Sequence, residues 1–160
     1  MKVKYLFMDV DGTLTDGTIY LGIDGVEVMK AFSVKDGHGI RQIKTEFNVK
    51  PIVLTGRKSL IVKKRCDELG ITDCHIGVKD KVGVIKEYQE HAPLQSFAYI
   101  GDDSNDLPAM ELIKNNGGIV ACPADADKSV KEISDYICQR NGGAGAVREF
   151  IDYLIDNQNN

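Results

Sequence analysis

Two clusters of acidic residues could hold a metal ion. The first is residues 9–13, Asp-Val-Asp-Gly-Thr, in which Asp9 and Asp11 stand two positions apart. The second is residues 101–106, Gly-Asp-Asp-Ser-Asn-Asp. Carboxylates repel one another, so several of them at one point suggest a bound cation. Oxygen ligands without His or Cys suit a hard ion such as Mg2+. Together the two clusters predict a magnesium site.

Two further clusters supply groups that could hold an anion against that metal. One is residues 55–58, Thr-Gly-Arg-Lys, and the other is residues 79–81, Lys-Asp-Lys. A metal, carboxylates, a lysine and a hydroxyl donor together describe a phosphoryl-transfer site. Taken singly, each cluster is also typical of a turn, a helix cap or a solvated lysine. The phosphoryl-transfer interpretation therefore depends on all four clusters lying together.

The elements around the clusters bring them together. Each cluster follows an apolar run of the kind that forms a buried strand. Such runs occupy residues 5–8, 51–54, 74–76, 97–100, 118–120 and 136–137. Helices with apolar residues at three- and four-residue spacing lie between them, as in Val62, Cys66 and Leu69. This alternation predicts an α/β fold, a doubly wound parallel sheet with helices on both faces. The strand ends of such a sheet share one edge, where the four clusters can converge.

One segment departs from the alternation of strands and helices. Residues 18–21 and 27–32 have the pattern of two strands, joined by residues 22–25, Gly-Ile-Asp-Gly. This predicts a β-hairpin after the first strand, at the edge of the sheet where doubly wound proteins bind ligands. The whole chain, residues 1–160, is predicted to form a single domain, with little room for a separate substrate-binding domain.

Composition excludes some classes of protein. The 20 Lys and Arg against 24 Asp and Glu give a formal charge of -4, which argues against non-specific binding to nucleic acid. The first apolar run is too short for a secretory signal or a membrane helix, which predicts a cytoplasmic protein. The four cysteines show no Cys-x-x-Cys spacing. Two disulfides, or a zinc site using Cys74 and His75, are alternatives to the favoured interpretation of the cysteines as packing residues.

The order of the four clusters resembles the haloacid dehalogenase (HAD) superfamily of phosphatases and phosphotransferases. Residues 9–14 are similar to its first motif, and residues 101–106 are similar to its fourth. Thr55 and Lys81 match the second and third motifs. The four matches span most of the chain.

This resemblance implies a role for each motif residue. Asp9 would attack phosphorus and form an aspartyl-phosphate, and Asp11 would act as general acid and then as general base. Thr55 and Lys81 would hold the phosphoryl oxygens. The metal ligands for Mg2+ would be Asp9, the main-chain carbonyl of Asp11, and Asp102. Asp103 and Asp106 would support the site from behind these ligands.

A narrower resemblance covers nearly the whole chain. Residues 16–17, 31–37, 55–58 and 142–149 are similar to segments of the 3-deoxy-D-manno-octulosonate 8-phosphate phosphatases. That family has no cap domain and forms tetramers in which the hairpins pair at the centre and a neighbouring subunit closes each active site. The resemblance therefore implies a homotetramer and a small phosphorylated sugar acid as substrate. The implied substrate-binding residues are Ser33, Val34, Lys35, Asp36, Gly37, Arg41, Arg57, Arg65 and Lys81.

Some alternatives stay open at the level of sequence. A related phosphatase acting on a nine-carbon 2-keto-3-deoxy sugar acid 9-phosphate is one, although that branch tends to carry Glu where this chain has Arg57. A receiver-like phosphoacceptor module is another, but its acidic pair comes on the first strand, whereas here Asp102 and Asp103 come last. Arg41 and Arg65 also have the pattern of solvated helix residues. Residues 142–145 could be only a flexible connection, and Ala144 stands where many relatives place a larger residue.

Overall fold

Six parallel strands form the central sheet of the computed structural model, which describes residues 2–158. Two short antiparallel strands form a separate hairpin. The strands are β1 (Tyr5–Met8), β2 (Tyr20–Leu21), β3 (Glu27–Met29), β4 (Lys50–Thr55), β5 (Asp73–Ile76), β6 (Phe97–Ile100), β7 (Ile119–Cys122) and β8 (Tyr136–Ile137). The helices are α1 (Val34–Phe47), α2 (Leu60–Leu69), α3 (Lys81–Gln89), α4 (Leu107–Asn115), α5 (Lys128–Ile133) and α6 (Ala146–Gln158).

The sheet is doubly wound around its first strand. Its order is β5-β4-β1-β6-β7-β8, so the chain adds strands on one side of β1 and then crosses to the other. Met8, at the end of β1, is paired with Val53 of β4 and with Ile100 of β6. Ligands of such sheets bind where the strand order reverses, outside the carboxyl ends of the strands. Here that point lies directly after Met8.

Apolar side chains of the sheet point to two separate cores. Leu6 and Met8 belong to the core beneath α1, α2 and α6, whereas Phe7 belongs to the core beneath α3, α4 and α5. This alternation is expected for a strand that is buried on both faces. It confirms the predicted parallel sheet with helices on both faces. It also determines to which face of the sheet the last side chains of each strand point.

Helix starts near the sheet edge are capped by polar side chains. The hydroxyls of Ser33 and Ser59 accept from the main-chain N–H groups three residues later, at the starts of α1 and α2. The carboxylate of Asp80 accepts from the N–H of Gly83 at the start of α3. Such caps satisfy N–H groups that have no partner within the helix. The caps therefore fix the position of Lys81, which follows Asp80 directly.

The hairpin is the one insertion between β1 and α1 in the described chain, and no cap domain is present among residues 2–158. Its strands are shorter than the predicted residues 18–21 and 27–32, because the pairing is irregular at Tyr20 and Leu21 and Phe32 turns to pack against the core. Helix α6 ends at Gln158. Residues 159 and 160 lie outside the described residues. Among the described helices, none is long and apolar enough to cross a membrane.

Candidate active site

A buried ion-pair centre lies at the carboxyl end of β1. Asp9 directly follows that strand, and Lys81 begins α3. The Lys81 Nζ donates to Asp9 Oδ1 and to Asp106 Oδ1, each at 2.6 Å. The side chains of Lys81 and Asp106 are 5% and 0% exposed, so both charges are held away from water. Lys81 is therefore a buried cation between two carboxylates, and the alternative of a solvated lysine is wrong.

Asp106 is committed to organising this centre. Its Oδ1 also accepts from the hydroxyl of Tyr99, at 2.6 Å. Its Oδ2 accepts from the main-chain N–H groups of Asp102 and Asp103, at 3.1 and 3.4 Å. Although Asp106 stands at the start of α4, its side chain makes no capping hydrogen bond there. With both oxygens occupied by donors, Asp106 braces the loop that presents Asp102.

Asp9 and Asp102 are the carboxylates that fit a divalent cation. Asp9, Asp102 and Asp106 each offer an oxygen within 4.8 Å of the others, and they are the one such group of three among the described residues. Because Asp106 is already occupied by protein donors, the first two remain. All the donors are carboxylate oxygens, the type that Mg2+ prefers. The zinc alternative at Cys74 and His75 gains no support, and the four cysteines are free thiols.

The electrostatics of the centre also favour a cation. Burial, followed by repulsion from Asp106, raises the pKa of Asp9 well above its ordinary value, against the opposing effect of Lys81. Burial and repulsion from Asp106 and Asp103 raise the pKa of Asp102 to about 7. For Lys81, burial lowers the pKa, but Asp9 and Asp106 outweigh it and the pKa is raised. One lysine therefore leaves negative charge uncompensated, which a divalent cation would offset.

Thr55 ends β4 beside the centre and is buried. Its hydroxyl oxygen accepts from the N–H of Arg57 at 3.2 Å, and its carbonyl accepts from the N–H of Val78 at 3.0 Å. The acceptor role leaves the hydroxyl hydrogen available to an anion, as a phosphate-binding threonine requires. Its position beside β1 agrees with the predicted role, and the contact itself stays a prediction.

The loop after Asp11 can approach Asp102 closely because it contains glycine. Gly12 has a φ of +92°, and a Cβ there would lie 1.9 Å from Asp102 Oδ2. The segment 142–145 packs against the same loop. Gly143 N–H donates to the carbonyl of Thr13 at 3.0 Å, and a Cβ on Gly142 would lie 1.9 Å from the carbonyl oxygen of Gly12. The alternative of a merely flexible connection is wrong, because this segment supports the acidic loop.

Asp11 is held by the hairpin, which the sequence did not reveal. Lys30 Nζ donates to Asp11 Oδ1 and lies 3.0 Å from Glu27 Oε2. Glu27 in turn accepts from the hydroxyl of Ser59 at 2.6 Å and lies 3.6 Å from Arg57. The one sequence signal is a lysine three residues after a glutamate at the end of a strand, and it does not say where the side chains point. The structure thus adds Lys30 and Glu27 to the predicted site, together with Tyr99.

The predicted substrate-binding residues fall into two groups. The first group, residues 33–37 at the start of α1, has mixed environments. Ser33 caps the helix, and Val34 and Lys35 are exposed. Asp36 is buried and accepts from the N–H of Arg148, and Gly37 packs against Arg65.

The arginines of the predicted substrate site also differ. Arg57 is half-exposed beside Glu27. Arg65 joins α2 to α1, because its guanidinium donates to Glu68 at 2.8 Å and to the carbonyl of Ser33 at 3.3 Å. Arg41 faces α2 and donates to the carbonyl of Glu68. Arg65 is therefore not a purely solvated residue, and the substrate contacts of all three stay predictions.

Relatives of known identity share nearly the whole chain. It is 39% identical over 156 residues to the 3-deoxy-D-manno-octulosonate 8-phosphate phosphatase KdsC of Escherichia coli (strain K12), which spans 96% of this chain and 80% of the relative. The chain belongs to the 3-deoxy-D-manno-octulosonate 8-phosphate phosphatase family. None of the protein-family models compared with the chain matches it.

Solved structures of this phosphatase family agree with the fold. The Moraxella catarrhalis enzyme, in complex with a magnesium ion, a phosphate ion and a KDO molecule, has a TM-score of 0.90 and 36% identity, covering 99% of this chain and 88% of that one. The cobalt-bound Haemophilus influenzae enzyme has a TM-score of 0.90 and 35% identity, covering 99% and 90%. Membership confirms the predicted HAD superfamily and identifies a phosphoric monoester hydrolase rather than a receiver-like module.

Proposed function

We propose that this protein is a Mg2+-dependent phosphatase that hydrolyses 3-deoxy-D-manno-octulosonate 8-phosphate to the free sugar acid and phosphate. The observation that carries the proposal is the buried Asp9, held by Lys81 at 2.6 Å and grouped with Asp102 at the point where the strand order reverses. A carboxylate at this point can approach a phosphate group, because the surrounding cations offset the negative charge of the phosphate. Membership in a phosphatase family supports the same reaction.

Each residue of the centre has a task in this reaction. The Asp9 carboxylate attacks phosphorus, and the bond to the sugar oxygen breaks to leave an aspartyl-phosphate. Asp11 gives its proton to the leaving oxygen and then takes a proton from the water that hydrolyses the intermediate. Thr55 and Lys81 hold the phosphoryl oxygens. Asp9, the carbonyl of Asp11, and Asp102 would hold Mg2+, which supplies charge stabilisation to the transferring group.

The substrate would be recognised through its carboxylate and phosphate. Arg57 and Arg65 lie on the segment after β4 and on α2, and guanidinium groups match both anions through paired hydrogen bonds. Residues 33–37 and Arg41 complete the proposed substrate-binding set. Arg57 favours the eight-carbon substrate over the nine-carbon alternative, because the nine-carbon branch tends to carry Glu at this position.

A homotetramer would complete these open sites. The hairpin exposes a row of apolar side chains, among them Leu21, Ile23, Val26 and Val28, and Met29 is 52% exposed. Contiguous apolar surface of this kind marks a protein interface. Pairing of hairpins from several copies would bury it, and neighbouring subunits would cover each active site. The cytoplasmic location predicted from the sequence stays a prediction.

A phosphate-release assay tests the reaction. With 3-deoxy-D-manno-octulosonate 8-phosphate, we expect steady turnover that requires Mg2+ and is lost on addition of EDTA. Asp9→Asn and Asp9→Ala should abolish turnover, because no other group replaces the nucleophile. Turnover that survives both substitutions would refute the assignment of Asp9.

A comparison of two substrates tests the specificity. The eight-carbon sugar acid phosphate should have a much higher kcat/KM than a nine-carbon 2-keto-3-deoxy sugar acid 9-phosphate, measured side by side. Equal or reversed preference would assign the protein to the nine-carbon substrate instead.

A further inference from the structure

We propose that Lys30 is a positioning residue that holds the Asp11 carboxylate at the active site, and that Glu27 holds Lys30 in turn. The proposal rests on the proposed phosphatase function, in which Asp11 transfers protons. It concerns residues of the hairpin rather than of the four acidic and basic clusters. It gives the hairpin a second task besides exposing an apolar surface.

Lys30 contacts the Asp11 carboxylate directly. Lys30 Nζ donates to Asp11 Oδ1 across 19 residues of chain, so the hairpin folds back over the loop that follows β1. The Lys30 side chain is 0% exposed, whereas Asp11 is 19% exposed. The ammonium group therefore approaches Asp11 from the protein side, and the carboxylate keeps an open side for a substrate.

Lys30 is itself anchored by Glu27. A lysine side chain has four rotatable bonds, and a buried ammonium needs a fixed set of acceptors. Besides Asp11, the Lys30 ammonium forms an ion pair with Glu27 Oε2 at 3.0 Å. Ser59, the cap of α2, donates to the other Glu27 oxygen at 2.6 Å, so Glu27 is fixed to the main domain as well. A chain of contacts therefore runs from α2 through the hairpin to Asp11.

Fold stability alone does not account for the ion pair between Lys30 and Asp11. A buried ion pair is often no more stable than apolar residues of the same size, so stability alone gives little reason for one here. Proton transfer, in contrast, requires the carboxylate to lie within hydrogen-bond reach of the leaving oxygen. The same contacts link Glu27 to Arg57 at 3.6 Å, on the substrate side. Holding Asp11 is therefore the function that the geometry supports.

The experiment compares leaving groups. In Lys30→Met, we expect kcat/KM for 3-deoxy-D-manno-octulosonate 8-phosphate to fall about 100-fold, within the usual contribution of general acid catalysis. For p-nitrophenyl phosphate, we expect a fall of less than about tenfold, because nitrophenolate leaves without a proton. kcat/KM reports steps up to departure of the leaving group, so it isolates the acid step. Equal losses on both substrates would overturn the proposal.

Two variants test whether the effect belongs to the charge at this site. Lys30→Arg keeps a cation and should restore part of the activity on the sugar phosphate. Glu27→Gln keeps a partner for Ser59 but removes the ion pair with Lys30. In this variant kcat/KM for the sugar phosphate should again fall more than kcat/KM for p-nitrophenyl phosphate, but by a smaller factor than in Lys30→Met. If Lys30→Met does not fold, Glu27→Gln carries the test, and an equal loss on both substrates in that variant would overturn the proposal.

The matched control is Lys50→Met. Lys50 also pairs with an aspartate, Asp73, at 2.9 Å, but it stands at the opposite end of the strands. Its loss should leave the ratio of the two kcat/KM values unchanged. A change in that ratio as large as that of Lys30→Met would show that any lost ion pair produces the contrast, and would contradict the proposal.

Failure of the proposed function would be visible separately. Wild-type protein that releases no phosphate from the sugar phosphate with Mg2+ refutes that function before any variant is made. The positioning role is then decided by crystal structures of the wild type and Lys30→Met. A displaced or disordered Asp11 carboxylate in the variant supports it, and an unchanged carboxylate overturns it.

Discussion

Tyr99 shows how the charged centre depends on a residue that carries no charge. Its hydroxyl donates to Asp106 at 2.6 Å, and its ring is completely buried on β6. Asp106 in turn holds Lys81 and two N–H groups of the acidic loop. A hydrogen bond to a charged group contributes about 1.5–3 kcal/mol to stability. The hydroxyl of Tyr99 therefore helps to fix the position of Lys81.

Tyr99→Phe should therefore lower the free energy of unfolding in urea by about 1.5–3 kcal/mol. Activity should persist at a reduced level, because Asp106 keeps its bond to Lys81. Tyr153→Phe is the control, since it removes a hydroxyl from a ring of α6 that stacks on Tyr136 of β8. Equal losses in the two variants would contradict a specific role of Tyr99.

The site residues that directly follow a strand could be predicted from the sequence. Asp9, Thr55 and Asp102 follow apolar runs, so the topology alone brings them to one edge. Lys30 could not be found in this way, because its position depends on how an irregular hairpin folds over the loop. The contact of Tyr99 with Asp106 also leaves no signal in the sequence, because Tyr99 has the pattern of an ordinary buried strand residue.

At the scale of elements, the sheet was predictable and the hairpin only partly so. Parallel strands that are buried on both faces are continuous apolar runs, and their ends shift by only one or two residues from the predicted bounds. The hairpin instead exposes apolar side chains on consecutive residues, such as Val28 and Met29, whereas Lys30 is buried, and its pairing is irregular at Tyr20. Its existence follows from the glycines of the turn, but the length of its strands does not.

The exposed apolar face of the hairpin makes a prediction about assembly. Val28 is 59% exposed on β3. Val28→Lys places a charge in the proposed interface between hairpins, and it should convert the proposed tetramer into smaller species in light scattering coupled to size exclusion. Ile137→Lys, on the edge strand β8, is the control, because Ile137 is also exposed at 48% but stands outside the hairpin. A wild-type monomer would contradict the proposed tetramer.

A polar network at the amino end of the strands predicts acid sensitivity. Burial raises the pKa of Asp73 on β5, but donors from Thr72, Tyr88 and Lys50 outweigh it and lower the pKa to about 2. Because this value lies below the ordinary 3.8, the ionised Asp73 stabilises the fold above about pH 4. That contribution is lost as the pH falls from about 4 to about 2.

Urea unfolding between pH 5 and pH 2.5 measures this effect. The wild type should lose stability more steeply than Asp73→Asn over that interval, because only the wild type must protonate Asp73 in the folded state. Parallel curves for the two proteins would show that other carboxylates account for the acid sensitivity.

At the scale of the whole molecule, the acidic centre couples metal binding to folding. Asp9 and Asp102 are gathered only in the folded chain, so Mg2+ should bind the folded state preferentially. At a concentration of 100 times Kd, such binding adds about 2.7 kcal/mol of stability. For a domain of this size, that corresponds to an increase in Tm of about 5–10 °C.

Thermal unfolding with and without Mg2+ tests this coupling. The wild type should show the increase in Tm, and Asp102→Asn should lose most of it because a ligand has been neutralised. A similar increase in both proteins would place the ion elsewhere.

The two sides of the hairpin have a kinetic consequence. Its inner side carries Glu27 and Lys30 towards Asp11, and its outer side carries the apolar row through which copies are proposed to pair. Subunit dissociation would then loosen the same element that holds a proton-transfer group. Specific activity should therefore rise with enzyme concentration, and a freshly diluted sample should show progress curves that slow as the subunits separate.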